Sequence, residues 1–208
     1  MYSKQKVIEI GMSQSTSHVV IIGGGFAGCK IAQLLLAEPS MRVTLIDPKD
    51  FFEMVWVNLR AMVIPDWAQR SIIPFSTFIP RAQLVKDEAA SLDTKSVTTK
   101  SGKTIEFDFC VIAVGSSYAG FLKAAVSTST SSQRLSEMHA FSEQIKSAGS
   151  VLIVGGGPSG VELAFEILDV FPNKKVASLF ACAMRALCVI HLFCSLLWSI
   201  PAVASSQA

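Results

Sequence analysis

Charge is scarce in this sequence. Of its 208 residues, 16% are charged and 50% are hydrophobic. That excludes an intrinsically disordered chain, whose mark is low hydrophobicity with high net charge. The length suffices to bury a core in one or two domains. Lys plus Arg total 18 and Asp plus Glu total 16, a net charge of +2. So small an excess gives no electrostatic footprint for nucleic acid, and no nucleic-acid partner is expected. Cysteine is sparse too. The five are Cys29, Cys110, Cys182, Cys188 and Cys194, and no two stand at CxxC spacing. Neither a disulfide scaffold, a zinc site nor a thioredoxin-like dithiol is supported. His191 lies among the last three cysteines, but their six-residue spacing is off the usual ligand patterns, so no metal is expected.

Residues 1–17 lack the apolar run of a secretory signal and carry Lys4, Lys6 and Glu9. Tyr2 rather than glycine follows Met1, which excludes N-myristoylation. A flexible lead-in and a cytoplasmic location are expected. The opposite end lacks charge almost entirely: residues 176–208 carry only Arg185.

What is present is a pattern that occurs twice. His18 to Ile22 is a short β-branched run ending at Gly23-Gly24-Gly25-Phe26-Ala27-Gly28. Alanines and leucines at helical spacing follow from Cys29 to Ala37, stopped by Pro39 and Ser40. Arg42 to Ile46 is a second buried strand, ending at Asp47-Pro48. Strand, glycine turn, helix and strand make a βαβ unit. The second copy begins at the strand Val151 to Val154, turns at Gly155-Gly156-Gly157-Pro158-Ser159-Gly160, and continues as a helix from Val161 to Phe171. Gly23 and Gly155 are 132 positions apart.

Between the copies, residues 51–79 are rich in aromatics and are broken by Pro65 and Pro74. Ala82 to Asp87, Ser96 to Lys100 and Thr104 to Phe107 alternate as three strands of a meander, with Ser101-Gly102 as a hairpin turn. Phe109 to Val114 is another buried strand, ending at Gly115. Residues 126–133 are Ser/Thr-rich and read as a linker or exposed loop, and Gln133 to Lys146 as an amphipathic helix.

Each glycine of the first turn has a mechanical role. Gly23 permits the tight turn, Gly25 lets a pyrophosphate approach the backbone, and Gly28 lets the helix pack closely on the strand. The helix N-terminus offers unpaired N–H groups and partial positive charge to a diphosphate. Asp47, 19 residues after Gly28, stands where an acid accepts the hydroxyls of an adenosine ribose. The second copy uses Gly155, Gly157 and Gly160 but has no such acid, because residues 176–184 contain no carboxylate. Two readings stand there: a bound nicotinamide nucleotide, or an incomplete half-site. Glu162 is read either as a neighbour of a nicotinamide or flavin, or as a solvated or capping acid; for Glu166 the solvated reading is preferred.

These segments resemble the flavoproteins with two dinucleotide-binding domains. VVIIGGGFAG at 19–28, LIDPKDFFEM at 45–54, FDFCVIAVGSS at 107–117 and VLIVGGGPSGVELAFEI at 151–167 carry the likeness. It is strongest to apoptosis-inducing-factor homologues and ferroptosis-suppressor-type NAD(P)H:quinone oxidoreductases, and more distant to type II NADH dehydrogenases. The resemblance implies FAD on the first unit and NADH or NADPH on the second. Gly23, Gly24, Gly25, Phe26, Ala27, Gly28 and Asp47 would hold the ADP part of FAD. Gly115 would close a family Ala-Thr-Gly strand end that reads Ala113-Val114-Gly115 here. Arg60 and the aromatics near Trp56 are read as flanking the flavin or, preferably, as core. Residues 48–62 contain no cysteine, so direct transfer to a quinone-like acceptor is implied rather than a dithiol relay. No acid–base residue is assigned a catalytic role, since the flavin does the chemistry.

The family pattern stops near residue 176, and a C-terminally truncated form is expected. Ala186 to Ala204 would span about 28 Å as a helix, near a bilayer core. A membrane anchor and an apolar read-through or replacement segment both fit residues 186–204. The expected fold is therefore α/β: a Rossmann-like FAD-binding three-layer domain with a β-meander over 18–125, a linker at 126–133, a partial second Rossmann unit over 134–180 and a hydrophobic tail over 181–208. The function it implies is an FAD-dependent oxidoreductase, or alternatively a non-catalytic dinucleotide-binding fragment that acts through a partner.

Overall fold

The computed structural model describes residues 16–118, 121–181 and 187–192. The chain opens with β1 (Ser17–Ile22), α1 (Phe26–Leu35), β2 (Met41–Asp47), β3 (Phe51–Glu53) and α2 (Val55–Ala61). A 3-10 turn (Pro65–Trp67) leads into α3 (Ala68–Ser71), β4 (Ile72–Pro74) and α4 (Phe75–Phe78). Five strands follow: β5 (Gln83–Lys86), β6 (Ala89–Leu92), β7 (Ser96–Thr99), β8 (Thr104–Glu106) and β9 (Phe109–Ile112). The remainder is α5 (Ser131–Ser147), β10 (Ser150–Val154), α6 (Pro158–Val170), β11 (Lys175–Ala181) and β12 (Leu187–Leu192).

One compact unit comprises the described residues up to Pro48 together with Ile79–Gly115. Its sheet has the order β5-β2-β1-β9, and every pair is parallel. Parallel strands covered on both faces read as continuous apolar runs, which Val19–Ile22 supplies and Val43–Ile46 supplies except at buried Thr44. Alternate residues serve opposite faces. Val20, Ile22 and Ile46 pack with Val97 and Ile105 of the antiparallel meander β6-β7-β8. On the other face Ile21 meets α1, whose Cys29 and Ala32 are buried. Helix, sheet and meander are thus the three expected layers.

One strand of that expectation is corrected. Gln83–Lys86 is not the first meander strand but a fourth parallel strand, with Thr44 opposite Gln83 and Asp47 opposite Lys86. Val85 is buried in the sheet core, and Ala89–Leu92 opens the meander instead. The hairpin turn falls as expected, with Gly102 at φ +87 donating its amide to the Thr99 carbonyl at 2.9 Å.

The second unit comprises Lys49–Phe78 and the described residues from Ser116 onward. β10 and β11 are parallel and flank α6 in sequence, giving the second βαβ opening. Phe51 and Met62 share one core with Met138, Ile153, Ile167 and Val176. Residues 49–78, read from the sequence as part of the first domain, therefore bury their apolar side chains against α5 and α6. Phe52 stacks on Phe78 with ring centroids 4.5 Å apart. Most of these aromatics are core, as preferred, but Trp56 is 73% exposed.

Two further expectations are corrected. Residues 126–133 are not a free linker, because α5 begins at Ser131 and Thr130 caps it, Oγ1 accepting from the Gln133 amide at 3.2 Å. The Ser131 amide donates to Asp50 Oδ1 at 2.8 Å, fixing the approach to the helix. The helical reading of 186–204 fails over Leu187–Leu192, which pairs antiparallel with β11. Neighbouring Val189 and Ile190 favour a strand. The rest of that stretch lies outside the described residues, as do residues 1–15. Among the described residues no helix is long and apolar enough to cross a membrane.

Candidate functional site

The first glycine turn is built by the strands around it. Gly23 leaves β1 with φ +102, a conformation that side chains rarely adopt. The end of β9 passes directly against it: a Cβ on Gly23 would lie 2.4 Å from the Ala113 carbonyl oxygen. The Ala113 amide donates to the Ile22 carbonyl at 2.8 Å, which holds Ala113, Val114 and Gly115 beside the turn. Gly28 is just as confined, since a Cβ there would sit 1.9 Å from the Gly23 carbonyl oxygen. Helix and turn can approach this closely only through two glycines.

Gly25 stands apart from these. A Cβ added to it meets nothing within 4 Å, so the space beside it is open. Gly25 is the N-cap of α1 and supplies no side-chain acceptor to the first-turn amides. Phe26 and Ala27 form the exposed start of that turn. Asp47 closes the corner from the end of β2. The residue is 4% exposed, and Oδ2 accepts the Gly24 amide at 2.6 Å. Cys29 donates its thiol to the Gly24 carbonyl at 3.3 Å, which the sequence did not flag. The corner thus gathers an uncapped helix N-terminus, a bare backbone and a buried acid.

The second turn repeats the chain path with less around it. Gly155 has φ +120, and a Cβ on Gly160 would lie 2.5 Å from the Gly155 carbonyl oxygen. Gly157 caps α6 without a side-chain bond, and the space beside it is open. The strand after the helix, β11, ends at Ala181 and contains no carboxylate. Glu162 is exposed on α6.

Glu166 departs from its solvated reading. It is 11% exposed and pairs with Arg60 of α2 at 2.9 Å. A second pairing was also invisible locally. Glu53 and Arg134, 81 residues apart, form a buried ion pair at 2.8 Å with exposures of 3% and 5%. Glu53 also accepts from Asn58 at 2.9 Å and from the Ala124 amide at 2.9 Å, while Arg134 donates to the Phe121 carbonyl at 2.7 Å. These bonds satisfy most of the lone pairs and N–H groups that burial strips of water, and they fix the 121–124 segment. The available signal was a charge at 53 inside the apolar run Phe51-Phe52-Glu53-Met54.

Known proteins are similar to this chain in sequence and fold. The pyridine nucleotide-disulphide oxidoreductase family matches residues 17–183. Apoptosis-inducing factor homolog B of Dictyostelium discoideum is 32% identical over 163 residues, which is 78% of this chain and 42% of that protein. Human ferroptosis suppressor protein 1 is 30% identical over 171 residues, 81% of this chain and 45% of that protein. The chain thus spans less than half the length of these curated relatives. The solved sulfide:quinone oxidoreductase of Aquifex aeolicus superposes with a TM-score of 0.55 at 25% identity, covering 77% of this chain and 42% of that one. Putidaredoxin reductase in complex with putidaredoxin shares the fold, with a TM-score of 0.59 at 18% identity over 79% of this chain and 42% of that one. Two glycine turns on two βαβ openings and a family match across both agree: the chain belongs to the pyridine nucleotide-disulphide oxidoreductase family, which uses FAD with NAD(P)H as electron donor.

Proposed function

We propose that this chain carries the nucleotide-binding openings of an FAD-dependent NAD(P)H oxidoreductase that passes electrons to a quinone-like acceptor. The observation that carries the reading is the first corner, where buried Asp47 accepts the Gly24 amide at 2.6 Å beside the open space at Gly25. The residues present fit an adenine dinucleotide there. The uncapped first-turn amides of α1 face a diphosphate, Gly25 admits it to the backbone, and Asp47 stands beyond to accept ribose hydroxyls. The redox chemistry, hydride from NAD(P)H and electrons onward to the acceptor, is supplied by bound FAD.

The chain's own part is binding and orientation. Gly155, Gly157 and Gly160 with the α6 N-terminus take the diphosphate of the nicotinamide nucleotide in this reading. Glu162, exposed on α6, is the charged group nearest in sequence to that turn. Arg60 is engaged by Glu166, so it supports α6 rather than touching a flavin. The quinone class rests on the likeness to a sulfide:quinone oxidoreductase. A second reading, nucleotide binding without turnover, is favoured by the missing carboxylate on β11.

Titration of the purified full chain with FAD tests the first site. Bound, yellow protein with a shifted flavin spectrum is expected, and a folded chain that ignores FAD refutes the assignment. Anaerobic addition of NADH, then NADPH, separates the two readings. Bleaching supports the oxidoreductase; a flavin that neither donor bleaches leaves only the non-catalytic one.

A further inference from the structure

Two carboxylates grip helix α2. Asn58 donates to Glu53, and two residues on, Arg60 reaches Glu166 of α6. Arg60 Nη2 lies 2.9 Å and Nε 3.1 Å from the same oxygen, Glu166 Oε1. The partners differ in their surroundings, Arg60 being 41% exposed and Glu166 only 11%. Glu166 Oε2 is buried with no hydrogen-bond partner among the described residues. This carboxylate therefore leans on one guanidinium. The guanidinium in turn lies over the Trp67 ring, 5.5 Å from its centroid, and Arg70 lies over the same ring at 4.7 Å. The aromatic face gives Arg60 a second restraint.

The sequence neighbours of this pair line a cavity of about 300 Å³ beside the second glycine turn. Leu59 and Met62 come from α2, Ser159 and Leu163 from α6, and Phe121 and Phe141 complete the wall. The two phenylalanine rings contact each other, with centroids 3.9 Å apart. Among the described residues Ser159 is the one polar side chain in the lining, so the cavity suits a flat, uncharged ring. Its α2 and α6 walls are the two elements that the Arg60–Glu166 pair joins.

Resting on the reading that the second turn takes a nicotinamide nucleotide, we propose that Arg60 and Glu166 are positioning residues whose ion pair sets the width of this cavity for the reduced nicotinamide ring. Neither touches the ring; they hold the helices that do. The unequal burial makes the effect directional. Removing Arg60 strands a buried carboxylate, which draws water between α2 and α6. Neutralising Glu166 leaves a guanidinium that water already reaches, and costs less.

The test compares NADH with ADP-ribose, which has no nicotinamide ring, by calorimetric titration of the full chain. Arg60→Ala is expected to weaken NADH about ten-fold, the equivalent of about 1.4 kcal/mol, with ADP-ribose changed less than about two-fold. Glu166→Gln should weaken NADH less, Arg60→Lys should retain part of the affinity, and Arg60→Ala/Glu166→Gln should recover toward Glu166→Gln alone. A merely structural role would lower the melting temperature and weaken both ligands together. Equal losses for the two ligands, no loss for either, or a wild type that binds ADP-ribose but not NADH overturns the proposal. A wild type that binds neither overturns the nucleotide reading itself and the proposal with it. Should Arg60→Ala fail to fold, Glu166→Gln and Arg60→Lys carry the same comparison: a loss confined to NADH supports the clasp, and equal or absent losses refute it.

Discussion

The two glycine turns share a sequence pattern and a local chain path, yet their surroundings differ. At the first, the β9 end presses on Gly23, and Asp47 is buried against the Gly24 amide. At the second, a Cβ on Gly155 would meet nothing within 4 Å, and no acid ends β11. The turn itself is therefore a local property, written in glycines that permit positive φ and close helix approach. The site is not local. It needs a third strand to wall the turn and an acid delivered by another strand.

The sharpest way to break this comparison is to add one methyl to each turn. Gly23→Ala places a carbon 2.4 Å from the Ala113 carbonyl oxygen, at a φ of +102 that side chains rarely adopt. It should destabilise the first unit by about 3 kcal/mol, the upper end of overpacking costs. Gly155→Ala, at the equivalent place, meets nothing within 4 Å and bears only the strain of its positive φ, about 1 kcal/mol. Chemical denaturation of both variants checks the contrast, and comparable losses would show that the two turns are not differently enclosed.

Asp47→Ala comes next. It leaves the Gly24 amide without its acceptor and should cost about 2 kcal/mol, with FAD affinity falling as well. Asp169→Ala on α6 serves as the control and should do neither. Hydrogen exchange at the Gly24 amide reads the same bond directly. Unchanged protection in Asp47→Ala would remove the carboxylate from the corner.

The smallest effect concerns pH and belongs to the first unit. His18 is buried on β1, with Nε2 2.8 Å from Thr44 Oγ1, and Arg42, Glu106 and Asp108 act on it. Burial first and Arg42 second hold its pKa below the ordinary 6.5, against the opposing pull of the Glu106 carbonyl and Asp108. The unfolded chain then takes up a proton more readily than the folded one. The His18 contribution is present above pH 6.5 and is lost as pH falls below it. Melting temperatures of wild type and His18→Gln should therefore converge in acid. A constant difference between them across pH would show that His18 does not titrate on unfolding.

The same contrast between local and non-local features decides how much the sequence revealed. The β1–α1–β2 opening and its repeat were readable because β-branched runs, turn glycines and helical spacing all act within thirty residues. Gln83–Lys86 was misplaced because four alternating residues do not say which strand they will join; Thr44 to Asp47 decided it. Asp47 was found through its fixed distance from the glycines. Arg60 reads from the sequence as flanking a flavin or, preferably, as core, and its ion pair with Glu166, 106 residues away, has no local signal. Glu53 and Arg134 likewise carry no mutual signal in a single sequence. A charge buried away from water needs an opposite charge to offset its desolvation, and which charges are buried together is known only from the fold.

The central claim is that the first corner receives the diphosphate of FAD across Gly25. Equilibrium titration of FAD into wild type and Gly25→Val, with melting temperature followed in parallel, tests it most directly. The account predicts that wild type binds FAD and that Gly25→Val loses at least about ten-fold in affinity while melting as wild type does, since the new side chain fills only the ligand's space. Equal FAD affinity in the two proteins would contradict it.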